Sequence, residues 1–125
     1  MGNLMRASIL ALFGTLMIST PVLAGNVEIT KVEGKQVSDE KWTFRVTLKH
    51  GDTGWDHYAD KWEVRTPSGV VLGTRVLAHP HVDEQPFTRS KSGIEIGSDV
   101  TEVLVHAHDS QHGWTDKPVT YKLPR

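Results

Sequence analysis

Two histidine pairs with one residue between them, His79-Pro80-His81 and His106-Ala107-His108, are the clearest chemical feature of this 125-residue sequence. Residues two apart on a strand project from the same face, so the rings of His106 and His108 could approach one ion. Neutral imidazole binds zinc or copper(II), and carboxylates can complete the coordination. The sequence therefore predicts a transition-metal site, with Cu or Zn as the expected ion. Its candidate ligands are His79, His81, His106, His108, His112, Asp83 and Asp109.

A second interpretation of these pairs involves no metal. His106 and His108 would face solvent on the outer side of their strand, because Val103 and Val105 take the core-facing positions. The histidines beside Pro80 would hydrogen-bond only to the backbone of a rigid, extended loop. The type of ligand alone does not separate these interpretations, since it fixes neither the metal nor its geometry.

Large aromatic and basic side chains near the histidines indicate another function, a protein-binding surface without metal. Tyr, Trp and Arg are enriched at protein interfaces and among the residues that supply most of their binding energy. The opposite interpretation is that Trp55 and Trp114 pack inward and close the core, because large aromatics are usually mostly buried. An envelope protein is the expected partner of the surface. Its members would be Trp55, His57, Tyr58, Phe87, Arg89 and Trp114.

Ser110, between Asp109 and His112, is the one arrangement that suggests nucleophilic catalysis. A hydrolase needs a nucleophile, an activating base and an oxyanion site. These side chains are only neighbours in sequence, and no strand-turn-helix elbow surrounds the serine. The sequence therefore predicts a binding module that is not an enzyme.

The first 24 residues have the three-part pattern of a secretory signal peptide. Arg6 precedes an apolar run over residues 7–18, and Val22-Leu23-Ala24 has the small or modest residues of a cleavage site. The run is shorter than the roughly 20 residues that span a bilayer. Cleavage after Ala24 would leave a mature domain of residues 25–125 in the periplasm or outside the cell. No cysteine follows the cleavage site, so we expect neither a lipid anchor nor another stable membrane anchor.

The composition of the mature chain limits its partners and its chemistry. Loss of Arg6 with the signal peptide changes the formal net charge from −1 to −2. The chain has no basic run or stripe, which argues against nucleic acid as a partner. The sequence contains no cysteine, which excludes disulfides, thiol catalysis and thiolate ligands. Histidine and carboxylate side chains are then the expected ligands of an ion.

Alternation of apolar and polar residues predicts that the mature chain consists of strands. In the clearest segment, from Trp42 to Leu48, every second residue is apolar. The other predicted strands lie at residues 27–32, 62–64, 70–78, 94–96, 103–107 and 119–123. Seven short strands with frequent turns predict an all-β fold, an antiparallel β-sandwich of immunoglobulin or fibronectin type III character. Trp42, Phe44 and Trp62 would fill its core.

The alternating direction of these strands predicts that the histidines lie at one end of the sandwich. The lower connections contain no histidine and comprise residues 34–40, 67–69 and 97–99. The upper connections contain five of the seven histidines and comprise residues 50–60, 79–93 and 109–118. His106 and His108 lie just below the third upper loop. Long loops on a rigid scaffold often carry function, so we expect the functional site at this upper end.

Three segments of the chain resemble a family of small exported bacterial proteins. They are residues 51–60, 79–89 and 108–114, with the sequences GDTGWDHYAD, HPHVDEQPFTR and HDSQHGW. The resemblance covers nearly the whole mature chain. It implies export but neither an activity nor a ligand, so no residue role is taken from it.

Overall fold

The computed structural model describes residues 26–125, and the predicted signal peptide lies outside the described residues. The described part consists of strands and connections. Its eight strands are β1 (Glu28–Ser38), β2 (Lys41–Lys49), β3 (Ala59–Arg65), β4 (Val71–Val76), β5 (Phe87–Glu95), β6 (Glu102–Asp109), β7 (Gly113–Trp114) and β8 (Val119–Lys122). Within residues 26–125, no helix has the length and hydropathy that a membrane crossing requires.

The strands form two antiparallel sheets that share one core. One sheet has the order β1-β2-β5, and the other has the order β4-β3-β6-β7, with β8 also paired to β6. This arrangement confirms the predicted all-β antiparallel sandwich. The finer immunoglobulin or fibronectin III character stays a prediction.

Large aromatic side chains fill the space between the sheets. Trp42, Phe44 and Trp62 are all fully buried, as the alternation of their segments predicts. Each stands on the inward face of its strand, while polar neighbours face outward. Burial of such side chains contributes about 1.5–3 kcal/mol each to folding. The sandwich is therefore held by packing, without disulfides.

The strand β5 differs from the sequence prediction. It begins at Phe87, well before Ile94, and pairs with β2 through Leu48 opposite Phe87 and Val46 opposite Arg89. The polar residues between Phe87 and Ile94 hide this strand from an alternation argument. The upper loop predicted to reach residue 93 therefore ends before Phe87, and Phe87 and Arg89 belong to a strand rather than to a loop.

Two upper connections are joined by hydrogen bonds. The backbone N–H of Tyr58 donates to Ser110 Oγ at 3.0 Å, and the Ser110 N–H donates to the Tyr58 carbonyl at 2.9 Å. The Gln111 side-chain amide donates to the Asp56 carbonyl at 2.8 Å. The connection before β3 and the turn after β6 are therefore held against each other, which brings distant histidines together.

Candidate metal centre

An imidazole and a carboxylate occupy core-facing positions at the upper end of the sandwich. The buried alternate residues of β2, which end at Leu48, are followed in the same series by His50. The buried alternate residues of β6 end at Asp109. The side chains of His50 and Asp109 have no exposed surface. Polar groups buried this deeply require partners, because desolvation without compensation is costly.

Three histidine nitrogens converge on one oxygen of Asp109. His50 Nε2 lies 3.0 Å from Asp109 Oδ2, His112 Nδ1 lies 3.1 Å from it, and His57 Nε2 lies 3.3 Å from it. Three of these residues each offer one ligand atom, and the three atoms lie within 4.8 Å of one another; the residues are His50, His57 and Asp109. Across residues 26–125, no other group of three histidine and carboxylate side chains is brought this close. We call His50, His57, His112 and Asp109 the upper centre.

Hydrogen bonds keep Asp109 in its charged form. Burial would raise the pKa of this carboxyl, but the backbone N–H groups of His112 and Gln111 and the His112 and His57 side chains hold the pKa well below its usual range. The two N–H groups donate to Oδ1, at 2.8 Å from His112 and 2.7 Å from Gln111. Oδ2 is thereby directed to the histidine side chains, with a full negative charge on the carboxylate.

His50 lies between two carboxylates. Its Nδ1 is 2.6 Å from Asp52 Oδ1, and its Nε2 is 3.0 Å from Asp109 Oδ2. A neutral imidazole carries one proton, so a neutral His50 that donates to Asp52 turns a bare lone pair towards Asp109. That contact is repulsive unless the ring gains a second proton or the lone pair binds a cation.

The upper centre is closed on its core side and open on the other. Side-chain exposure rises from zero at His50 to 13 % at His57 and 44 % at His112. Trp55, two residues before His57 in the chain, is exposed and packs edge-on against Tyr58, with ring centroids 5.6 Å apart. An ion could therefore reach the histidine nitrogens from solvent without passing through the core.

His81 belongs to a neighbouring group rather than to the upper centre. Its buried ring stacks on Phe87 with centroids 3.9 Å apart, and its Nε2 lies 2.9 Å from Arg89 Nη2. A guanidinium only donates, so this nitrogen accepts and is not free to bind an ion. His79 and Asp83 are exposed and also lie outside the upper centre. The structure thus separates these three predicted ligands from Asp109.

The environment of His81 predicts that folding stability falls in mild acid. Burial and the Arg89 charge lower the pKa of His81 below its ordinary value of 6.5. Below about pH 6.5, the unfolded state then binds more protons than the folded state. The contribution of neutral His81 to the free energy of unfolding is therefore complete above about pH 6.5 and is lost as the pH falls through the lowered pKa. In chelator, the free energy of unfolding from urea titrations should fall between about pH 7 and 5 more steeply for the unchanged chain than for His81→Gln. His79→Gln is the exposed control, and equal slopes in all three chains would contradict the prediction.

His106 and His108 project from the outer face of β6. Since Asp109 faces the core, alternation along the strand directs its even-numbered neighbours away from the core. Both rings pack edge-on against Trp114, with centroids 6.4 Å away for His106 and 4.7 Å for His108. His108 Nδ1 also lies 2.6 Å from Asp60 Oδ1. The pair shares a face as expected, but that face is not the one that carries the upper centre.

The predicted aromatic binding surface is divided among three places. Phe87 is buried in the core and is not available to a partner. Trp114 lies on the outer face of its sheet, under the Arg65 guanidinium at 4.5 Å from the ring centroid. Trp55 and Trp114 are 67 % and 36 % exposed, so neither closes the core. Of the residues predicted for that surface, His57 belongs to the upper centre, and Trp55 and Tyr58 are its neighbours in sequence.

Two residues at the site were absent from the predicted sets, His50 and Asp52. The sequence does contain a signal for His50, since it continues the inward alternation of β2 by one more step. Asp52 follows in an irregular connection, where no periodicity indicates the direction of a side chain.

Comparison with known proteins gives one sequence relative and no family. No protein-family profile matches the chain. A protein from Halomicrobium mukohataei described as "Putative lipoprotein" is 49 % identical over 71 residues, which are 57 % of this chain and 34 % of that protein. The chain thus spans about a third of the relative that it matches. Over that segment the two proteins are related, in keeping with the resemblance to exported proteins.

Comparison of folds corrects the prediction that the domain is not an enzyme. The structure is similar to a superoxide reductase (neelaredoxin) from Ignicoccus hospitalis, with a TM-score of 0.47, 15 % identity, and coverage of 80 % of this chain and 81 % of that one. The matched protein is an enzyme, so the prediction of a non-enzymatic module is wrong on this finding. The absence of a nucleophile elbow around Ser110 argues only against serine-based hydrolysis, because catalysis by a metal ion needs no such elbow. At this TM-score the likeness assigns no activity to the chain.

Proposed function

We propose that this domain binds one divalent transition-metal ion, Cu(II) or Zn(II), at the upper centre. His50, His57 and Asp109 would supply three ligands, and His112 would supply a fourth. The observation that carries the proposal is the convergence of three imidazole nitrogens, 3.0–3.3 Å away, on one buried carboxylate oxygen.

Hydrogen bonding alone accounts poorly for this convergence. A carboxylate has about four lone-pair sites on its two oxygens, and Asp109 Oδ1 already accepts two backbone N–H groups. Three imidazole donors on Oδ2 would exceed the sites that are left. A cation that bonds to the oxygen and to the histidine lone pairs removes the excess and also satisfies His50.

The distances in the upper centre fit an ion of this kind. Ligand atoms about 2.0–2.1 Å from a tetrahedral zinc ion lie roughly 3.3 Å from one another. The distances from Asp109 Oδ2 to the three nitrogens, 3.0–3.3 Å, are close to this value. The ligand atoms of His50, His57 and Asp109 lie within 4.8 Å of one another, and His112, which is outside that group of three, would have to move towards the ion to bind it. Imidazole and carboxylate suit Zn(II) and Cu(II), and residues 26–125 contain neither the cysteine nor the methionine that favours Cu(I).

We also propose that the domain works outside the cytoplasm, in the periplasm or beyond it. The signal-peptide pattern of residues 1–24 supports this location, and the description of the Halomicrobium relative as a lipoprotein is consistent with an envelope protein. A second candidate function is docking to an envelope protein through Trp55 and Tyr58. The observation that favours it is the 67 % exposure of Trp55 beside Tyr58, since Trp and Tyr are enriched at protein interfaces.

Isothermal titration of the chelator-treated chain with Zn(II) and with Cu(II) tests the first function. We expect one ion per chain, with a dissociation constant below about 10 μM, or roughly −7 kcal/mol. If neither ion binds this tightly, the metal-binding function is wrong. Capture of an envelope component that resists chelator and is lost in Trp55→Ala would then favour the docking function.

A further inference from the structure

We infer that Asp52 is a positioning residue, which holds His50 with its Nε2 lone pair directed to the metal ion. The inference rests on the proposed metal site and assigns a role to a residue outside the ligand set. Asp52 Oδ1 lies 2.6 Å from His50 Nδ1, and both side chains have no exposed surface. Contact with a carboxylate at this distance keeps the ring proton on Nδ1.

The position of Asp52 is itself fixed by the backbone of two other segments. The Ala59 N–H donates to Asp52 Oδ1 at 3.1 Å, and the His81 N–H donates to Asp52 Oδ2 at 2.8 Å. The Asp52 N–H donates to the His50 carbonyl at 2.9 Å, which closes a tight turn between the two residues. The carboxylate is therefore immobilised before any ion binds, and it immobilises the imidazole in turn.

This arrangement has a chemical consequence for the ion. A histidine that donates its second ring nitrogen to a carboxylate is a more basic ligand and is held in one tautomer, and loss of such a partner costs about 10–100-fold in metal affinity. The Asp52 carboxylate also adds a second negative charge beside the upper centre. Together, the charges of Asp52 and Asp109 match that of a divalent ion.

An amide cannot replace this carboxylate, because all three groups that face Asp52 are donors. If the oxygen of the substituted amide faced His50 and Ala59, the NH₂ group of that amide would face the His81 N–H, and two donors would meet. If the amide were reversed, its NH₂ group would face His50 Nδ1, so the ring would carry its proton on Nε2. That tautomer cannot ligate an ion at Asp109.

The chain provides a matched control in Asp60 and His108. His108 Nδ1 lies 2.6 Å from Asp60 Oδ1, the same distance as in the His50–Asp52 pair, but on the outer face of the sheet. Asp60→Asn therefore removes a carboxylate–histidine pair of the same length, partly exposed rather than buried, outside the upper centre.

Titration of the full chain with Zn(II) and Cu(II) tests the inference. Asp52→Asn is expected to weaken binding by about 10–100-fold, while Asp60→Asn leaves it unchanged. In the Cu(II) complex, the electron paramagnetic resonance spectrum should change in Asp52→Asn, because a nitrogen ligand is lost or altered. Equal affinities and equal spectra for the unchanged chain and Asp52→Asn would overturn the inference.

A measurement on the unchanged chain covers the case in which Asp52→Asn does not fold. In the Zn(II)-loaded protein, nitrogen-15 NMR of the histidine side chains should show His50 protonated at Nδ1 and bound through Nε2. Zinc on His50 Nδ1, or no zinc on His50, would overturn the role of Asp52. Failure of the unchanged chain to bind either ion would instead overturn the metal site itself, so the two failures are distinguishable.

Discussion

Asp109→Asn is expected to weaken the binding of Zn(II) or Cu(II) by about a hundredfold to several thousandfold. Removal of one partner from a buried charged group costs roughly 3–5 kcal/mol, and every 1.4 kcal/mol is a factor of ten. Asp109 supplies the only carboxylate of the upper centre, and its Oδ2 is the atom on which all three imidazoles converge. The substituted amide would place an NH₂ group or a neutral oxygen there. Competition titration against a chelator of known affinity measures the loss.

Asp83→Asn is the matched control for this substitution. It makes the same chemical change at an exposed carboxylate that the sequence also predicts as a ligand. We expect its ion affinity to equal that of the unchanged chain. A similar loss in both variants would indicate that the ion binds by general charge attraction, and an undiminished affinity in Asp109→Asn would place the ion elsewhere.

His57→Ala is expected to weaken ion binding by more than the roughly 10–100-fold that loss of an outer-shell partner costs. The double variant His106→Ala with His108→Ala should bind as the unchanged chain does. The reason is the direction of the side chains: His57 Nε2 lies 3.3 Å from Asp109 Oδ2, whereas His106 and His108 lie on the outer face of β6 beside Trp114. The same titration measures both effects.

His57 is preferred to His50 for this test because its side chain is partly exposed. Truncation of the fully buried His50 would leave Asp52 and Asp109 without their shared partner and could unfold the domain. Thermal denaturation in chelator checks that each variant is folded. Loss of binding in the double variant, with retention in His57→Ala, would restore the sequence-based choice of ligands and contradict the upper centre.

The sandwich, and the core-facing positions of His50 and Asp109 at its upper end, could be predicted because both depend on period-two alternation. The inward series of β2 and β6 are long and regular, so their core residues and directions follow from the sequence. The same alternation, continued by one step, places His50 and Asp109 in the core-facing series. The His-x-His spacing predicts correctly that His106 and His108 share a face, but it does not tell which face that is, and the two rings lie on the outer face beside Trp114.

The remaining parts of the upper centre could not be predicted in this way. His57 lies in an irregular connection, and His112 lies in a turn before the two-residue strand β7. Their positions depend on hydrogen bonds between segments far apart in sequence, such as those between Tyr58 and Ser110. Contacts of this kind leave no periodic trace in the sequence. The start of β5 at Phe87 was hidden for a related reason, since its polar residues do not alternate with apolar ones.

The contact between His50 and Asp109 joins the two sheets of the sandwich. His50 follows β2 in one sheet, Asp109 ends β6 in the other, and 59 positions of sequence separate the two residues. A bond across so long a loop restricts the unfolded chain strongly, which is how disulfides between sheets stabilise small exported domains. An ion held by both residues would be a cross-link that forms without oxidation and is removed by a chelator. In a chain without cysteine, the stability of the sandwich would then depend on the concentration of the metal ion around the cell rather than on the redox conditions there.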